Sequence, residues 1–429
     1  MLFKDITILD EDFAPRTHMY VGVKDDTICY IGGSMPEQDF GEAYDGNGNL
    51  LMSGFVNNHS HTPMMLMRGY GENMMLQDWL EKKIFPFEDR LTGQDVYYAT
   101  LLGIAEMVRF GTVSTTDMYF FCHDIARAFA DSGVKANIGR AITAFGDTDL
   151  FSMERFQEAK ALYNDYHGAE NGRILVDMSL HGEYTSNPQI ARQLAEYTKS
   201  IGANMHVHVS ETSAETEECT MRHGKTPTKY LAELGLFDGP ATAAHCVWLT
   251  PEDMDILAEK NVAVASCPVS NLKLASGICD VPALMERGVN ITLGTDSVAS
   301  NNNLNMLEEI KLFAILHKGA THNPTLISPK QALQAATVNG ARAQGRMDCG
   351  LLKEGNKADL IVVDLSAPHM QPVHSAQSNL VYSAVGGDVR LTMVDGVVVY
   401  KDGVYPTIDI DKVLFEVGES NKRILGELG

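Results

Sequence analysis

Cysteine pairs at metal-ribbon or redox spacing are missing from this 429-residue chain, whose seven cysteines (29, 122, 219, 246, 267, 279 and 349) are odd in number and form no CxxC. That pattern fits neither a disulfide framework nor a zinc ribbon and points to a reducing compartment. Positive charge is scarce too: 34 Lys and Arg face 56 Asp and Glu, for a net charge of -22. Such a surface repels nucleic acid and anionic membranes, and its plain use is solubility. No apolar run reaches membrane-spanning length, and the start of the chain, where Asp5 soon follows Met1, holds no long apolar leader segment. A globular, cytoplasmic protein binding neither nucleic acid nor membrane is expected, and 45% apolar residues supply a large core.

What is present is a rhythm. Short apolar runs at 51–57, 112–118, 135–142, 174–181, 204–210, 242–246, 262–267 and 290–294 alternate with longer stretches of helical spacing, such as 96–110, 153–166, 188–201 and 251–260. Eight βα units predict an α/β fold, a (β/α)8 TIM-like barrel over 51–350. Both ends carry short alternating runs broken by Gly and Asp, so 1–50 and 351–429 are expected to form one small β-sandwich domain, with a terminal helix over 411–428.

In such a barrel the chemistry sits at the C-terminal ends of the strands, and that is where the histidines fall. His59 and His61 follow the first run, His181 the fourth, His208 the fifth, His245 the sixth and Asp296 the eighth. With 14 His in 429 residues, chance places an HxH in roughly every second such chain, so the weight lies in the company of these residues. A mononuclear catalytic site needs three or four protein ligands and one open position, and His59, His61, His208 and Asp296 supply them. Glu211, three residues after His208, is the candidate general acid and base. His245 is read as orienting the attacking oxygen, His206 as a packed structural histidine, and Glu215, Glu217 and Glu218 as a solvated acidic face. The fourth run contains no Lys to bridge two metals, and the H-x-E with P-C-x-x-C signature of Cys-ligated zinc deaminases is absent. One divalent ion is expected, zinc first, with Fe2+ or Mn2+ acceptable to the same donors.

These residues, with Gly54 to His61, Leu66 to Tyr70, Asp78-Trp79-Leu80, Phe87 to Leu91, Ala244 to Val247, Ser270 to Leu274 and Ala358 to Val362, resemble the amidohydrolase superfamily. Within it, they are most similar to the S-adenosylhomocysteine and 5'-methylthioadenosine deaminases. The resemblance implies hydrolytic deamination at C6 of an adenosine-type nucleoside (5'-methylthioadenosine, S-adenosylhomocysteine, 5'-deoxyadenosine or adenosine), giving the inosine analogue and ammonia. Glu211 would carry a proton from water to N1, Asp296 would take the second proton and His245 would hold the oxygen. It further implies that Glu88 binds the ribose hydroxyls, that Trp79 and His181 contact substrate, that Arg140 and Arg155 meet an amino-acid carboxylate, and that the chain forms a homo-oligomer. Two departures stand out: Gly182-Glu183 before Tyr184-Thr185, where Glu183 would bring negative charge toward the pocket and disfavour an anionic tail, and Trp248 in place of a frequent His. The rival readings are a free-base deaminase, for guanine or cytosine, or a triazine-type chlorohydrolase, from which Glu88 discriminates because those substrates lack a ribose diol. A non-catalytic barrel would be expected to have lost ligands that this chain keeps.

Overall fold

The computed structural model describes every residue except 72, 75, 145, 147 and 148, and only the backbone of 76 and 77. Eight parallel strands, Phe55–Ser60, Thr112–Tyr119, Lys135–Ile142, Ile174–Leu180, Met205–Val209, Ala241–His245, Ala263–Ser266 and Ile291–Leu293, pair side by side in chain order. A parallel bridge between Ser60 and Asp296 joins the last strand's end to the first and closes the barrel. The closure is tight because Gly294 has no side chain: a Cβ there would lie 2.7 Å from His59 Cβ. The strands are buried on both faces, as expected of a parallel sheet under helices; all eight positions of Thr112–Tyr119 are buried.

The connecting helices start where their sequences say they should. Thr92 and Asp95 form a reciprocal capping box at the head of Gly93–Arg109. Asn187 accepts from the Ile190 N–H ahead of Pro188–Ile201, which ends at left-handed Gly202.

The run read as one first strand, 51–57, divides at Gly54. Leu50–Ser53 joins the terminal sheet and Phe55–Ser60 the barrel. A Cβ at Gly54 would come within 2.2 Å of Val113 Cγ1, so the crossing between the two units needs a glycine.

The terminal strands form one continuous mixed sheet ordered Val397–Lys401, Val389–Val394, Leu360–Val363, Leu50–Ser53, Leu2–Leu9, Pro15–Lys24, Thr27–Gly32. Its apolar face, including Phe3, Val21, Leu360 and Met393, makes a core separate from that of the barrel. Buried Lys135, opening the third barrel strand, ties the two units: its Nζ lies 2.5 Å from Asp359 Oδ2 and 2.6 Å from Asp395 Oδ1. The terminal helix Ile410–Leu428 packs on Gly93–Arg109, and its Arg423 reaches Asp95. Among the described residues no helix is long and apolar enough to cross a membrane, and all seven cysteines are unpaired.

Candidate active site

At the C-terminal mouth of the barrel five imidazoles converge, each with its Nδ1 already engaged. His61 Nδ1–H donates to the Met118 carbonyl (2.5 Å) and His208 Nδ1–H to the His181 carbonyl (2.6 Å). His59 Nδ1 shares a hydrogen bond with His206 Nε2 (2.9 Å), His245 Nδ1–H donates to Asn271 Oδ1 (2.9 Å), and His181 Nδ1 meets Thr185 Oγ1 (3.0 Å). Where Nδ1 is the donor, Nε2 is the nitrogen left to meet an ion, which is how ligating histidines are oriented.

Asp296 Oδ1 stands 3.2 Å from His61 Nε2 and 3.6 Å from His59 Nε2. Its other oxygen is held by two hydroxyls, Ser270 Oγ at 2.5 Å and Ser300 Oγ at 2.9 Å. Donor atoms of His59, His61 and Asp296 lie within 4.8 Å of one another, and so do those of His59, His208 and His245. Burial, and then the neighbouring rings, holds His59 and His208 well below the usual imidazole pKa, so both are neutral donors. Burial disfavours a charged His61, yet the Asp296 carboxylate outweighs it and brings that ring up to about 9. Burial would raise Asp296, but His61 holds it well below the carboxylate range. Fully buried His59 Nε2 has no hydrogen-bond partner among the described residues, an atom that an ion would satisfy. The donor set, imidazole nitrogens and a carboxylate oxygen, fits a divalent first-row ion.

Glu211, just past the fifth strand, has Oε2 3.8 Å from His245 Nε2, and burial raises its pKa above the ordinary value. The backbone is left-handed at four non-glycine positions here: Ser210, His245, Cys246 and Asp296 have positive φ, 50°, 71°, 51° and 58°. Left-handed non-glycine residues cost on the order of 1–3 kcal/mol each and persist where surroundings overdetermine them.

A cavity of about 730 Å³ opens onto this centre, lined by His61, His208, His245, Asp296 and Glu211 together with Trp79, Glu88, His181, Arg140 and Arg155. Fully buried His59 is not on its wall. Buried Tyr119 donates its O–H to Glu88 Oε1 (2.6 Å), and among the described residues no hydrogen bond to Oε2 is seen; burial pushes Glu88 up to about 7, against the pull of that hydrogen bond. Arg140 Nε donates to Glu158 Oε2 (2.6 Å), and Arg155 Nη1 to the Thr143 carbonyl (3.0 Å).

Two sequence readings change. Glu215 is buried, not solvated, because its carboxylate accepts the N–H groups of Ser210 and Glu211. Glu183 brings no free charge to the pocket: it is buried outside the lining and paired with Arg222 at 2.6 Å and His223 at 3.0 Å. Trp248 turns its indole N–H to the Ser276 carbonyl (2.7 Å) and also stays outside the lining. Tyr119, Asn271, Ser270 and Ser300 received no role from the sequence. Ser270 and Asn271 stand within a quoted motif, while Tyr119 ends a strand and thus points where barrel sites form.

A family model described as "Amidohydrolase family" matches residues 50–399. The chain is 38% identical to the 5-methylthioadenosine/S-adenosylhomocysteine deaminase of Caldanaerobacter subterraneus subsp. tengcongensis, over 100% of this chain and 99% of that one. It is 40% identical to the 5'-deoxyadenosine deaminase of Methanosarcina mazei, over 99% and 97%. Among solved structures, a zinc-bound adenosine deaminase from Xanthomonas campestris superposes with a TM-score of 0.93 at 30% identity, covering 99% of this chain and 98% of that one.

Proposed function

This chain belongs to the amidohydrolase family, and from that premise we propose that it is a metal-dependent hydrolytic deaminase of adenosine-type nucleosides, releasing ammonia and the inosine analogue. The observation that carries the reading is the joint placement of Glu211 and Glu88 on one cavity: a proton-transfer carboxyl beside the histidine cluster, and a second, half-buried carboxyl held through one oxygen by Tyr119 and able to meet a vicinal diol. Two hydroxyls on one carboxylate is sound donor and acceptor chemistry.

His59, His61, His208 and Asp296 would hold the ion, zinc as in the Xanthomonas relative. When bound, such an ion acidifies water toward neutral pH and polarises the reacting centre. Glu211, with its raised proton affinity, takes a proton from the water and delivers it to N1 of the purine, which makes C6 electrophilic. His245, its tautomer set by Asn271, turns Nε2 to the attacking oxygen and holds it over C6. Asp296, steadied by Ser270 and Ser300, takes the second proton from the attacking oxygen and hands it to the C6 amine, which leaves as ammonia as the C6 carbonyl forms. Trp79 and His181 bound the nucleoside, and Glu88 takes the ribose hydroxyls.

Arg140 and Arg155 lie on the cavity wall, where they can meet the carboxylate of an S-adenosylhomocysteine tail, and Glu183, being neutralised, does not oppose it. Unpaired thiols and the acidic surface support a cytoplasmic location, and a homo-oligomer is inferred from the family; light scattering on the purified protein tests that assembly. The reading itself is tested by ammonia release from the zinc-loaded protein with adenosine, 5'-deoxyadenosine, 5'-methylthioadenosine, S-adenosylhomocysteine, guanine and cytosine at equal low concentration. Turnover of the nucleosides is expected; release from a free base alone would overturn it.

A further inference from the structure

Glu215 occupies the third position of the helix Ser213–His223, whose N-cap is Thr212. A Glu there ordinarily reaches back to the N–H of the cap residue itself. Here it reaches further, to the end of the fifth barrel strand. The Ser210 N–H donates to Glu215 Oε1 (3.0 Å) and the Glu211 N–H to Glu215 Oε2 (2.7 Å). Thr212 Oγ1 in turn accepts the Glu215 N–H (3.1 Å), which anchors the clamp at its own end.

The clamped segment is one that would not hold its shape unaided. Ser210 is left-handed, with φ of 50°, and its carbonyl is taken by the N–H groups of Val247 (3.0 Å) and Trp248 (2.9 Å). Its backbone is therefore gripped from two sides, by the sixth strand's exit through the carbonyl and by Glu215 through the amides. Glu211 is the next residue, and the direction of its side chain follows from that turn.

We propose that Glu215 is a positioning residue for the proton-transfer carboxyl: by chelating two consecutive backbone amides it sets the left-handed turn that aims Glu211 at the reacting centre. This deepens the deaminase reading and rests on it for the assay. A displacement of about 1 Å in a catalytic group can cost on the order of 100-fold in rate, so the clamp is large enough in effect to be read kinetically.

The test compares Glu215→Ala and Glu215→Gln with the unaltered protein, using 5'-methylthioadenosine and expressing kcat per bound metal ion. Glu215→Ala is expected to lower kcat about 100-fold while KM stays within about 2-fold, the pattern of a lost transition-state interaction. Glu215→Gln keeps one oxygen for one amide and should fall between, about 10-fold down. A merely structural Glu215 would lower the unfolding midpoint and leave kcat per metal ion untouched, and that result overturns the proposal. If Glu215→Ala does not fold, Glu215→Gln decides by the same criterion. If the unaltered protein releases no ammonia from any nucleoside, the deaminase reading fails. The clamp is then judged by a crystal structure of Glu215→Gln: a displaced Glu211 carboxyl upholds it, an unmoved one overturns it.

Discussion

His61 Nε2 faces Asp296 Oδ1 across 3.2 Å, and the two residues come from opposite ends of the barrel sequence, brought together where the eighth strand closes on the first. In the metal-free protein this pair keeps a proton: burial opposes it, Asp296 outweighs burial, and the His61 pKa comes to about 9. Below that value the proton must leave before Nε2 can bind a metal. Metal affinity should therefore rise with pH up to about 9 and then level off. Calorimetry of zinc binding near pH 7.5, in buffers of different ionisation enthalpy, should show about one proton or more released per ion, whereas none would contradict the pairing.

Replacing Glu211 by Gln keeps the shape and removes the proton carrier. Metal content by elemental analysis should stay at that of the unaltered protein, while kcat falls about 100-fold to 10,000-fold, the range of general acid and base catalysis. Unchanged turnover would remove Glu211 from the mechanism.

Glu88 and Tyr119 should act on binding. Glu88→Ala is expected to lower kcat/KM for nucleosides about 10-fold to 100-fold, since hydrogen bonds to a charged group contribute about 1.5–3 kcal/mol each. Tyr119→Phe, which removes the hydrogen bond on Glu88 Oε1, should raise KM by about 10-fold with little change in kcat. Steady-state kinetics on 5'-methylthioadenosine separates the two, and an unaltered kcat/KM in Glu88→Ala would remove Glu88 from ribose binding.

Far from the cavity, Lys135→Met should destabilise without slowing catalysis. The side chain is 4% exposed and neutralises buried Asp359 and half-buried Asp395, so its removal strands both carboxylates and costs about 3–5 kcal/mol. A lower thermal midpoint with unchanged kcat at 25 °C is expected; a loss of kcat in the folded fraction would mean that the joint between sheet and barrel reaches the site.

Much was legible because strand periodicity and fold rule agree. The third strand runs over 135–142 as read, the helix after the fourth strand over 188–201 as read, and the histidines stand at strand ends, where barrel chemistry is located. The HxH spacing puts both side chains on one face whatever the tertiary context.

Sequence by itself determined the elements, their order and the donor residues at their ends, because those follow from local periodicity of two and of 3.6 residues. Tertiary structure alone decided what each polar group faces. Glu183 is silenced by Arg222, 39 residues away, Asp296 is steadied by Ser270, 26 residues away, and Glu215, in a run that reads as solvated, turns inward to two backbone amides. The first run divides at Gly54, where Val113 of the neighbouring strand leaves no room for a Cβ. Burial and pairing depend on what folding brings into contact, and a buried carboxyl is tolerated only with its partners in place, so no reading of neighbours along the chain could have assigned them.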